Sequence, residues 1–404
     1  TRGWSTLKIP QPMNYDKLVH SIRPDPAFPQ KHYGPEEHLR RRDGFKLTDK
    51  RYSEREVGYE VDYCILCHDR DKDSCSKGLK DASGFKSNKV GISLEGCPLE
   101  EKISEMHALR RQGDSIGALA LICIDNPMCP GTGHRICNDC MKSCIYQTQD
   151  PVNIPQAETG ALIDVLRMDF GVEIFGLLTR FNPLNRKRPY ALPYNGLKTL
   201  VVGMGPAGYT LSHHLMNEGF GVAAIDGLKI EPPPADITGH DGKGICAIKR
   251  YEEIEQELDK RIFTGFGGVS EYGITVRWDK NFLYLLQITL MRRDALALFG
   301  GTRFGGTVSI DDAWELGFDH IAIATGAGKP TIINIKNNLC RGIRKASDFL
   351  MALQLTGASK RDTMANLQVR LPALVIGGGL TGIDTATELL AYYPVQVEKH
   401  IERY

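Results

Sequence analysis

The strongest constraint on the fold of this chain is a glycine-rich turn between a predicted strand and a predicted helix. Thr199 to Val202 is typical of a short buried strand, Tyr209 to Glu218 has the periodicity of a helix, and Val222 to Ile225 is typical of a second strand. The first turn has the pattern G-x-G-x-x-G, with its glycines at Gly203, Gly205 and Gly208. This order predicts a βαβ unit at the start of a parallel α/β sheet.

Such a turn is suited to binding a dinucleotide. The glycines let the backbone approach a pyrophosphate at the helix N-terminus, and an acid at the end of the second strand accepts hydrogen bonds from a ribose. Asp226 occupies the position of that acid. A plain glycine-rich loop is the alternative, but the flanking strand, helix and acid favour nucleotide binding. We therefore expect the cofactor to lie on Gly203, Gly205, Pro206, Ala207, Gly208 and Asp226.

A second turn of the same kind lies near the end of the sequence. It follows a predicted strand, Ala373 to Ile376, and precedes a predicted helix, Ile383 to Leu390. Two such turns in one chain suggest two dinucleotides, a flavin and a nicotinamide. The residues expected to bind the second dinucleotide are Gly377, Gly379 and Gly382.

The residues after this second helix bear on the choice of nicotinamide. If Val395 to Val397 is a strand, Glu398 would take the ribose-binding position and favour NAD. Lys399 and Arg403 could instead meet the 2′-phosphate of NADP. The same segment could equally be a helix.

A turn of small residues lies between the two glycine turns. The apolar run from Ile321 predicts a buried strand that ends near Thr325 and Gly326. Residues this small would allow the backbone to approach a bound dinucleotide closely. A buried strand that ends in an ordinary tight turn is the alternative.

Cysteine placement indicates a second functional region. Nine of the eleven cysteines fall between Cys64 and Cys144. In a chain without an export signal, such a group is more typical of metal binding or catalysis than of a disulfide framework. The short spacings suit iron–sulfur chemistry, and nine sulfurs could ligate two clusters. The candidate metal ligands are Cys64, Cys67, Cys75, Cys97, Cys129, Cys137, Cys140 and Cys144.

Structural zinc is the competing interpretation of these cysteines. The two C-x-x-C pairs, with or without His68 or His134, would also suit tetrahedral zinc, and spacing favours iron–sulfur by only about two to one. Cys123 is more typical of a buried apolar side chain. After residue 190 there is no C-x-x-C, so we expect electrons to leave through the cysteine-rich region and not through a redox disulfide.

The rest of the sequence suggests a multi-domain α+β protein. We expect an extended N-terminal arm at residues 1–60, a mostly helical cysteine-rich domain at 61–190, a Rossmann-like α/β domain at 191–370 and the start of a second Rossmann-like domain at 371–404. The 50 Lys plus Arg nearly balance the 49 Asp plus Glu, so charge favours neither nucleic acid nor an anionic membrane. No apolar run approaches the roughly 20 residues of a membrane span, and no export signal is seen, which predicts a cytoplasmic location.

Helical periodicity supports the assignment of the cysteine-rich domain. Apolar positions recur from Leu99 to Arg110, stop at Gly113 and continue from Ile116 to Ile122. Another helical stretch is expected between Gly160 and Phe175.

Taken in order, these motifs resemble a family that comprises the glutamate synthase small subunit and the N-terminal part of dihydropyrimidine dehydrogenase. The resemblance covers roughly residues 60–392. Its elements are Cys97-Pro98, Asn126-Pro127, Cys140-x3-Cys144, Pro151 to Ile154, Val201 to Gly208, Ala324 to Ala327 and Val375 to Gly379.

The resemblance implies FAD on the Gly203 turn, NAD(P)H on the Gly377 turn and two [4Fe–4S] clusters. One cluster would be held by Cys64, Cys67, Cys75 and Cys144. Cys97, Cys137 and Cys140 would supply most of a second cluster, with either Cys129 or Glu158 as its fourth ligand. The implied activity is electron transfer between NAD(P)H, FAD and the clusters, to or from a partner subunit of a larger complex.

The sequence also departs from this family in ways that carry expectations. Some 21 residues separate Cys75 from Cys97, where the family has only a few. Because the family inserts its nicotinamide domain within the flavin domain, further flavin strands should follow residue 404. Two other functions stay open, a zinc-stabilised nucleotide-binding assembly subunit without catalysis and an electron-bifurcating subunit. No catalytic residue is identified, since His213 and His214 are more typical of helix packing.

Overall fold

The computed structural model describes residues 8, 10–17, 22, 25–34, 36, 41–48, 51–132, 136–261, 265–273, 279–327 and 329–404. The chain divides into two compact units. The first comprises residues 1–43, 51–126 and 133–161, and the second comprises residues 44–50, 127–132 and 162–404. His134, one of the alternative zinc ligands, lies outside the described residues.

Both units contain α-helices, and the second also contains a parallel sheet. The helices, in chain order, are α1 (Glu54–Tyr63), α2 (Ser74–Lys77), α3 (Ile103–Arg111), α4 (Ser115–Asp125), α5 (Cys129–Thr132), α6 (Asp139–Lys142), α7 (Ile154–Leu166), α8 (Gly171–Arg180), α9 (Pro206–Asn217), α10 (Ala235–Thr238), α11 (Asn281–Met291), α12 (Ile310–Glu315), α13 (Ala346–Leu355) and α14 (Leu380–Arg403). The strands are β1 (Lys80–Asp81), β2 (Gly84–Phe85), β3 (Lys198–Val202), β4 (Gly221–Ile225), β5 (Leu296–Phe299) and β6 (His320–Ile323).

Local capping signals set the helix ends in the first unit. At the start of α1 the Glu56 N–H donates to Ser53 Oγ (3.3 Å) and the Ser53 N–H donates to the Glu56 carboxylate (2.7 Å), which is a reciprocal capping box. Gly113 separates α3 from α4, and the Asp114 side chain caps α4. The helices predicted on both sides of Gly113 are confirmed. However, α1 begins at Glu54, inside the segment predicted as an extended arm.

The helical stretch predicted between Gly160 and Phe175 is two helices, α7 and α8. Phe170, between them, has φ 63°, in the left-handed region that a right-handed helix does not pass through. Hydrophobic periodicity continues across this break, which explains why the sequence pattern alone does not reveal it.

The sheet of the second unit has the strand order β5-β4-β3-β6, and all its strands are parallel. Val202 at the end of β3 pairs with Ile225 of β4 on one side and with Ile323 of β6 on the other. The carboxyl ends of these three strands therefore lie at one edge, where nucleotides bind in doubly wound folds. The predicted strands and the helix α9 between them are confirmed.

The end of the described chain differs from the prediction. Ala373 to Ile376 does not form a strand, because no described strand pairs with it, and Leu374 is 86% exposed. The helix predicted at Ile383 to Leu390 is part of α14, which continues to Arg403. The strand alternative for Val395 to Val397 is thus wrong, and the helical alternative is confirmed. Within the described residues, no helix combines the length and the apolar character needed to cross a bilayer.

Candidate functional site

The first glycine turn has a geometry that only glycine permits at two positions. Gly203 has φ 100°, and a Cβ there would lie 2.5 Å from the carbonyl oxygen of Ala324. A Cβ at Gly208 would overlap the carbonyl oxygen of Gly203. The turn therefore packs closely on itself and against the end of β6, and α9 begins within the motif, at Pro206 directly after Gly205. The unpaired N–H groups of this helix start are the anion-binding feature of nucleotide turns.

A second glycine segment, Gly265 to Gly268, faces this turn. The Gly267 N–H donates to the Met204 carbonyl (3.0 Å). A Cβ at Gly205 would have only Gly268 Cα (3.7 Å) and Gly267 O (3.9 Å) nearby. This segment was not predicted as part of the site, although its G-F-G-G pattern is a signal of close backbone approach.

Asp226 lies where the ribose-binding acid was predicted. One carboxylate oxygen accepts from the Met204 N–H and the other from the Leu228 N–H, both at 2.9 Å. A carboxylate has about four acceptor sites, so these two bonds orient Asp226 and leave capacity for ribose hydroxyls. Thr325 and Gly326 follow β6 and are exposed, with Gly326 at φ 69°.

The second glycine turn repeats the local geometry of the first. Gly377 has φ 128°, and Gly379 precedes α14 with φ −79° and ψ 176°, close to the φ −75° and ψ −171° of Gly205 before α9. A Cβ at Gly382 would overlap the carbonyl oxygen of Gly377, just as at Gly208. At Gly377, unlike Gly203, no atom beyond its chain neighbours would lie within 4 Å of a Cβ.

The polar residues of α14 do not occupy the predicted nicotinamide positions. Glu398 pairs with Arg361. Lys399 is buried, and its Nζ donates to the carbonyl oxygens of Ala358 (3.0 Å) and Ala365 (2.7 Å). Arg403 likewise donates to a carbonyl of this loop. The predicted roles of Glu398, Lys399 and Arg403 in choosing between NAD and NADP are therefore wrong, because these side chains secure α14 to the preceding loop.

In the first unit, four of the predicted ligands line one cavity. They are Cys64, Cys67, Cys75 and Cys144. Cys64 follows the last residue of α1, Cys67 begins a tight turn and Cys75 lies in α2. The rest of the lining is largely apolar, with Ile103 and Ile154 among it.

The arrangement of these thiols bears on the choice between zinc and a cluster. Tetrahedral zinc with Zn–S bonds of about 2.3 Å would need sulfurs only about 3.8 Å apart. Among the described residues, no group of three or more His, Cys, Asp or Glu side chains converges so as to hold one metal ion. Four cysteines nevertheless line one cavity, and four thiolates are the ligand number of both structural zinc and a [4Fe–4S] cluster.

The 21 residues between Cys75 and Cys97 form a compact loop with a closed neck. The strands β1 and β2 pair within it, and the Cys97 N–H donates to the carbonyls of Cys75 (2.9 Å) and Ser76 (3.0 Å). Two positive-φ glycines, Gly78 and Gly96, lie against each other at the neck, where a Cβ on either would overlap backbone atoms. The chain returns to its starting point, so the long spacing does not separate the two cysteines.

Cys97 and Cys140 lie beside two carboxyl groups, the buried Glu101 and the half-buried Glu158. Burial, together with Asp125, raises the pKa of Glu101 to about 7. Burial and the neighbouring Glu101 raise the pKa of Glu158 well above its usual value. Burial, together with the neighbouring Glu158, raises the pKa of the Cys140 thiol well above its usual value.

The other predicted ligands are placed differently. Cys137 is exposed, whereas Cys129 is buried in α5, which belongs to the second unit. Cys123 is buried in α4, as the apolar interpretation predicts. None of the eleven cysteines, all of them in described parts of the chain, forms a disulfide.

Burial opposes ionisation of the cysteine thiols. It raises the pKa of Cys64 and of Cys97 to about 11 each, and it raises the pKa of Cys75 further. Bringing several thiolates together in an apolar cavity is costly unless cationic metal compensates them, and metal binding would then release their protons.

Buried charges support the second glycine segment of the nucleotide site. Arg261 and Glu271 form an ion pair with 4% and 1% of their side chains exposed. The Nζ of Lys280 donates to the carbonyl oxygens of Ser270 (2.6 Å) and Tyr272 (3.1 Å). Burial lowers the pKa of Lys280 to about 8. These contacts hold residues 270–272, directly after the glycines that face the first turn.

Comparison with known proteins agrees with a two-nucleotide oxidoreductase. The family described as pyridine nucleotide-disulphide oxidoreductase matches residues 197–401, just over half of the chain. The chain belongs to this family, and membership implies binding of FAD and of a pyridine nucleotide.

Individual relatives are longer than the matched region. An uncharacterized protein of Rickettsia prowazekii is 48% identical over 69% of this chain and 38% of its own length. The NADPH glutamate synthase small chain of Bacillus subtilis is 25% identical over 80% of this chain and 54% of its own length. The NADH glutamate synthase of Schizosaccharomyces pombe is 25% identical over 72% of this chain and 12% of its own length. The matched region thus spans about half or less of each of these relatives.

Proposed function

We propose that this chain is an NAD(P)H-linked electron-transfer flavoprotein that carries iron–sulfur clusters and works with a partner subunit or domain. The observation that carries the proposal is the cavity lined by Cys64, Cys67, Cys75 and Cys144, in a chain that also has two glycine turns of matching geometry. Family membership supports the nucleotide half of the proposal. The distant similarity to a glutamate synthase small chain supports the use of a partner.

The first glycine turn is the proposed FAD site. The α9 N-terminus would meet the pyrophosphate, and Asp226, held by the Met204 and Leu228 N–H groups, would accept from the ribose. When bound, the flavin would supply the exchange between hydride and single-electron transfer. The chain positions and shields this cofactor, and no described side chain is required as a general acid or base.

The second turn is the proposed NAD(P)H site. Its support is the repetition, at Gly377, Gly379 and Gly382, of the backbone geometry found at the first turn. The start of α14 would meet the pyrophosphate of the nicotinamide dinucleotide.

The four cysteines of the cavity are the proposed ligands of one [4Fe–4S] cluster. Four thiolates complete the ligand set of such a cluster. Cys97, Cys137 and Cys140 are proposed to hold most of a second cluster, with Cys129 or Glu158 as the fourth ligand. The position of Glu158 beside Cys140 supports the carboxylate alternative.

The test is metal and acid-labile sulfide analysis of anaerobically purified protein, together with its visible spectrum. We expect flavin absorption, about eight irons and about eight sulfides per chain, with about four of each if only the first cluster forms. Cys75→Ala should remove about four irons, whereas Cys123→Ala, which changes a buried cysteine of α4, should remove none. Zinc in place of iron and sulfide would refute the electron-transfer proposal and favour the assembly-subunit alternative.

A further inference from the structure

Two hydrogen-bond donors line the four-cysteine cavity without a hydrogen-bond partner. His107 is fully buried in α3, and neither of its ring nitrogens makes a hydrogen bond. Ser74, 6% exposed at the start of α2, also lines the cavity, and its Oγ makes no hydrogen bond. The two donors lie on different helices, His107 on α3 and Ser74 on α2, and both line the cavity that the four cysteines line.

An unsatisfied buried donor needs a physical explanation. Leaving such a group without a partner costs about 1–3 kcal/mol, and buried polar groups in native proteins are nearly always paired. Ile103 and Ile154, which also line the cavity, offer no acceptor. The oxygen acceptors of the lining are the hydroxyls of Ser104, which is already paired with His68 Nδ1 (2.6 Å), and Tyr146, whereas four of the lining residues are cysteines.

His107 can donate one hydrogen bond into the cavity, and the cluster does not need it as a ligand. Burial, with Arg110 and Arg111 nearby, favours the neutral ring, which has one N–H and one lone pair. Four cysteines already meet the ligand number of a [4Fe–4S] cluster, so a fifth ligand is not required.

We propose that His107 and Ser74 donate hydrogen bonds to sulfurs of the cluster held by the four cysteines and thereby raise its reduction potential. The inference rests on the proposed function. Its physical basis is that reduction adds negative charge to the cluster, and donors aimed at sulfur stabilise the more negative state. His107 and Ser74 are thus tuning residues and not ligands.

The test compares His107→Leu, which removes the donor, with His107→Gln, which keeps an N–H in a side chain of similar reach. Reduction of the cluster in the anaerobically purified holoprotein is followed by electron paramagnetic resonance during a redox titration. We expect His107→Leu to disfavour reduction about tenfold, which lowers the potential of this one-electron couple by about 59 mV. His107→Gln should recover most of this loss, and Ser74→Ala should shift the potential in the same direction as His107→Leu.

A control and a second measurement keep the inference falsifiable. His213→Leu replaces a buried histidine of the second unit and should leave the potential of this cluster unchanged. In wild-type protein labelled with 15N-histidine, pulsed electron paramagnetic resonance of the reduced cluster should show a weak coupling between the cluster and a histidine 15N nucleus. His107→Gln should abolish this coupling. If the His107→Leu protein lost its cluster, the 15N coupling of the wild-type protein and the reduction potential of Ser74→Ala would still test whether the two residues donate to the cluster.

The outcomes separate this inference from the proposed function. Wild-type protein without iron and sulfide would refute both. Iron and sulfide with potentials unchanged in His107→Leu and Ser74→Ala would refute the tuning role alone. A strong 15N coupling, typical of direct ligation, would refute the donor role and make His107 a ligand.

Discussion

Substituting Gly208 by alanine separates two opposing effects at the first glycine turn. Intrinsic helix propensity favours alanine over glycine by about 1 kcal/mol in a helix interior. At Gly208, however, the new Cβ would overlap the Gly203 carbonyl oxygen, whereas real Cβ atoms essentially never lie within 3.0 Å of such an atom. The start of α9 must therefore move away from the turn. If two charge-assisted hydrogen bonds to the pyrophosphate are lost, at about 1.5–3 kcal/mol each, FAD binding should weaken about 10²- to 10⁴-fold.

Bound flavin per chain, measured by visible absorption after gel filtration, and titration of the flavin-free protein with FAD report this effect. Gly176→Ala in α8 is the matched control, because no atom outside its own helix would lie within 4 Å of the new Cβ. We expect Gly176→Ala to keep its flavin and to gain up to about 1 kcal/mol in unfolding free energy. A Gly208→Ala protein that binds FAD with wild-type affinity would show that the turn is not the flavin site, or that the overlap is relieved without moving the helix.

Four other changes follow from the same contacts. Gly382→Ala should retain the flavin and its reduction by dithionite but lose its reduction by NADH or NADPH, and retained nicotinamide-driven bleaching would argue against the second site. Glu271→Gln leaves the buried Arg261 without its ion-pair partner and should lower the unfolding free energy, measured with urea, by about 3–5 kcal/mol. Glu218→Gln, which breaks the exposed pair with Arg188, should lower it by only about 0–1 kcal/mol. Equal losses in the two variants would contradict the burial of the Arg261–Glu271 pair. Replacing residues 80–93 by Asn-Gly should leave iron content unchanged, since the neck of the loop is preserved, and loss of iron would mean that the loop itself shapes the site. Burial lowers the pKa of His213 well below its usual value. Below about pH 6.5, His213 therefore becomes protonated in the unfolded state but stays neutral in the folded state. His213 should thus contribute a fall in unfolding free energy of about 1.4 kcal/mol per pH unit on acidification. His213→Leu should remove this contribution in pH-resolved thermal melts and leave that of the likewise buried His107.

The first nucleotide turn was predictable because its signals are local. The strands at Lys198–Val202 and Gly221–Ile225 begin within one residue of their predicted starts, since apolar strand pattern, glycine turn and helix follow one another without interruption. The strand predicted at Ala373 to Ile376 fails for a non-local reason. Its sequence is equally apolar, but a strand also needs a neighbour to pair its backbone, and no described strand supplies one.

The cysteine region shows the same division between local and non-local information. The resemblance grouped Cys64, Cys67, Cys75 and Cys144, and these four cysteines line one cavity; their role as cluster ligands stays a prediction. His107 was missed because it falls within an apolar helical pattern. Its position four residues after Ile103 places it on the same buried face of α3, which is a usable signal once a cavity is known.

The closed neck between Gly78 and Gly96 has a consequence for recognising related proteins. The loop between Cys75 and Cys97 leaves the body of the first unit and returns to it at the same point. Such a loop can gain or lose residues during evolution without moving the two cysteines that flank it. Search patterns that fix the number of residues between cysteines will therefore overlook members of a lineage that carries such an insertion. Patterns that require two glycines flanking a variable stretch, with a cysteine just outside each, would find them, because the two glycines and not the count preserve the geometry.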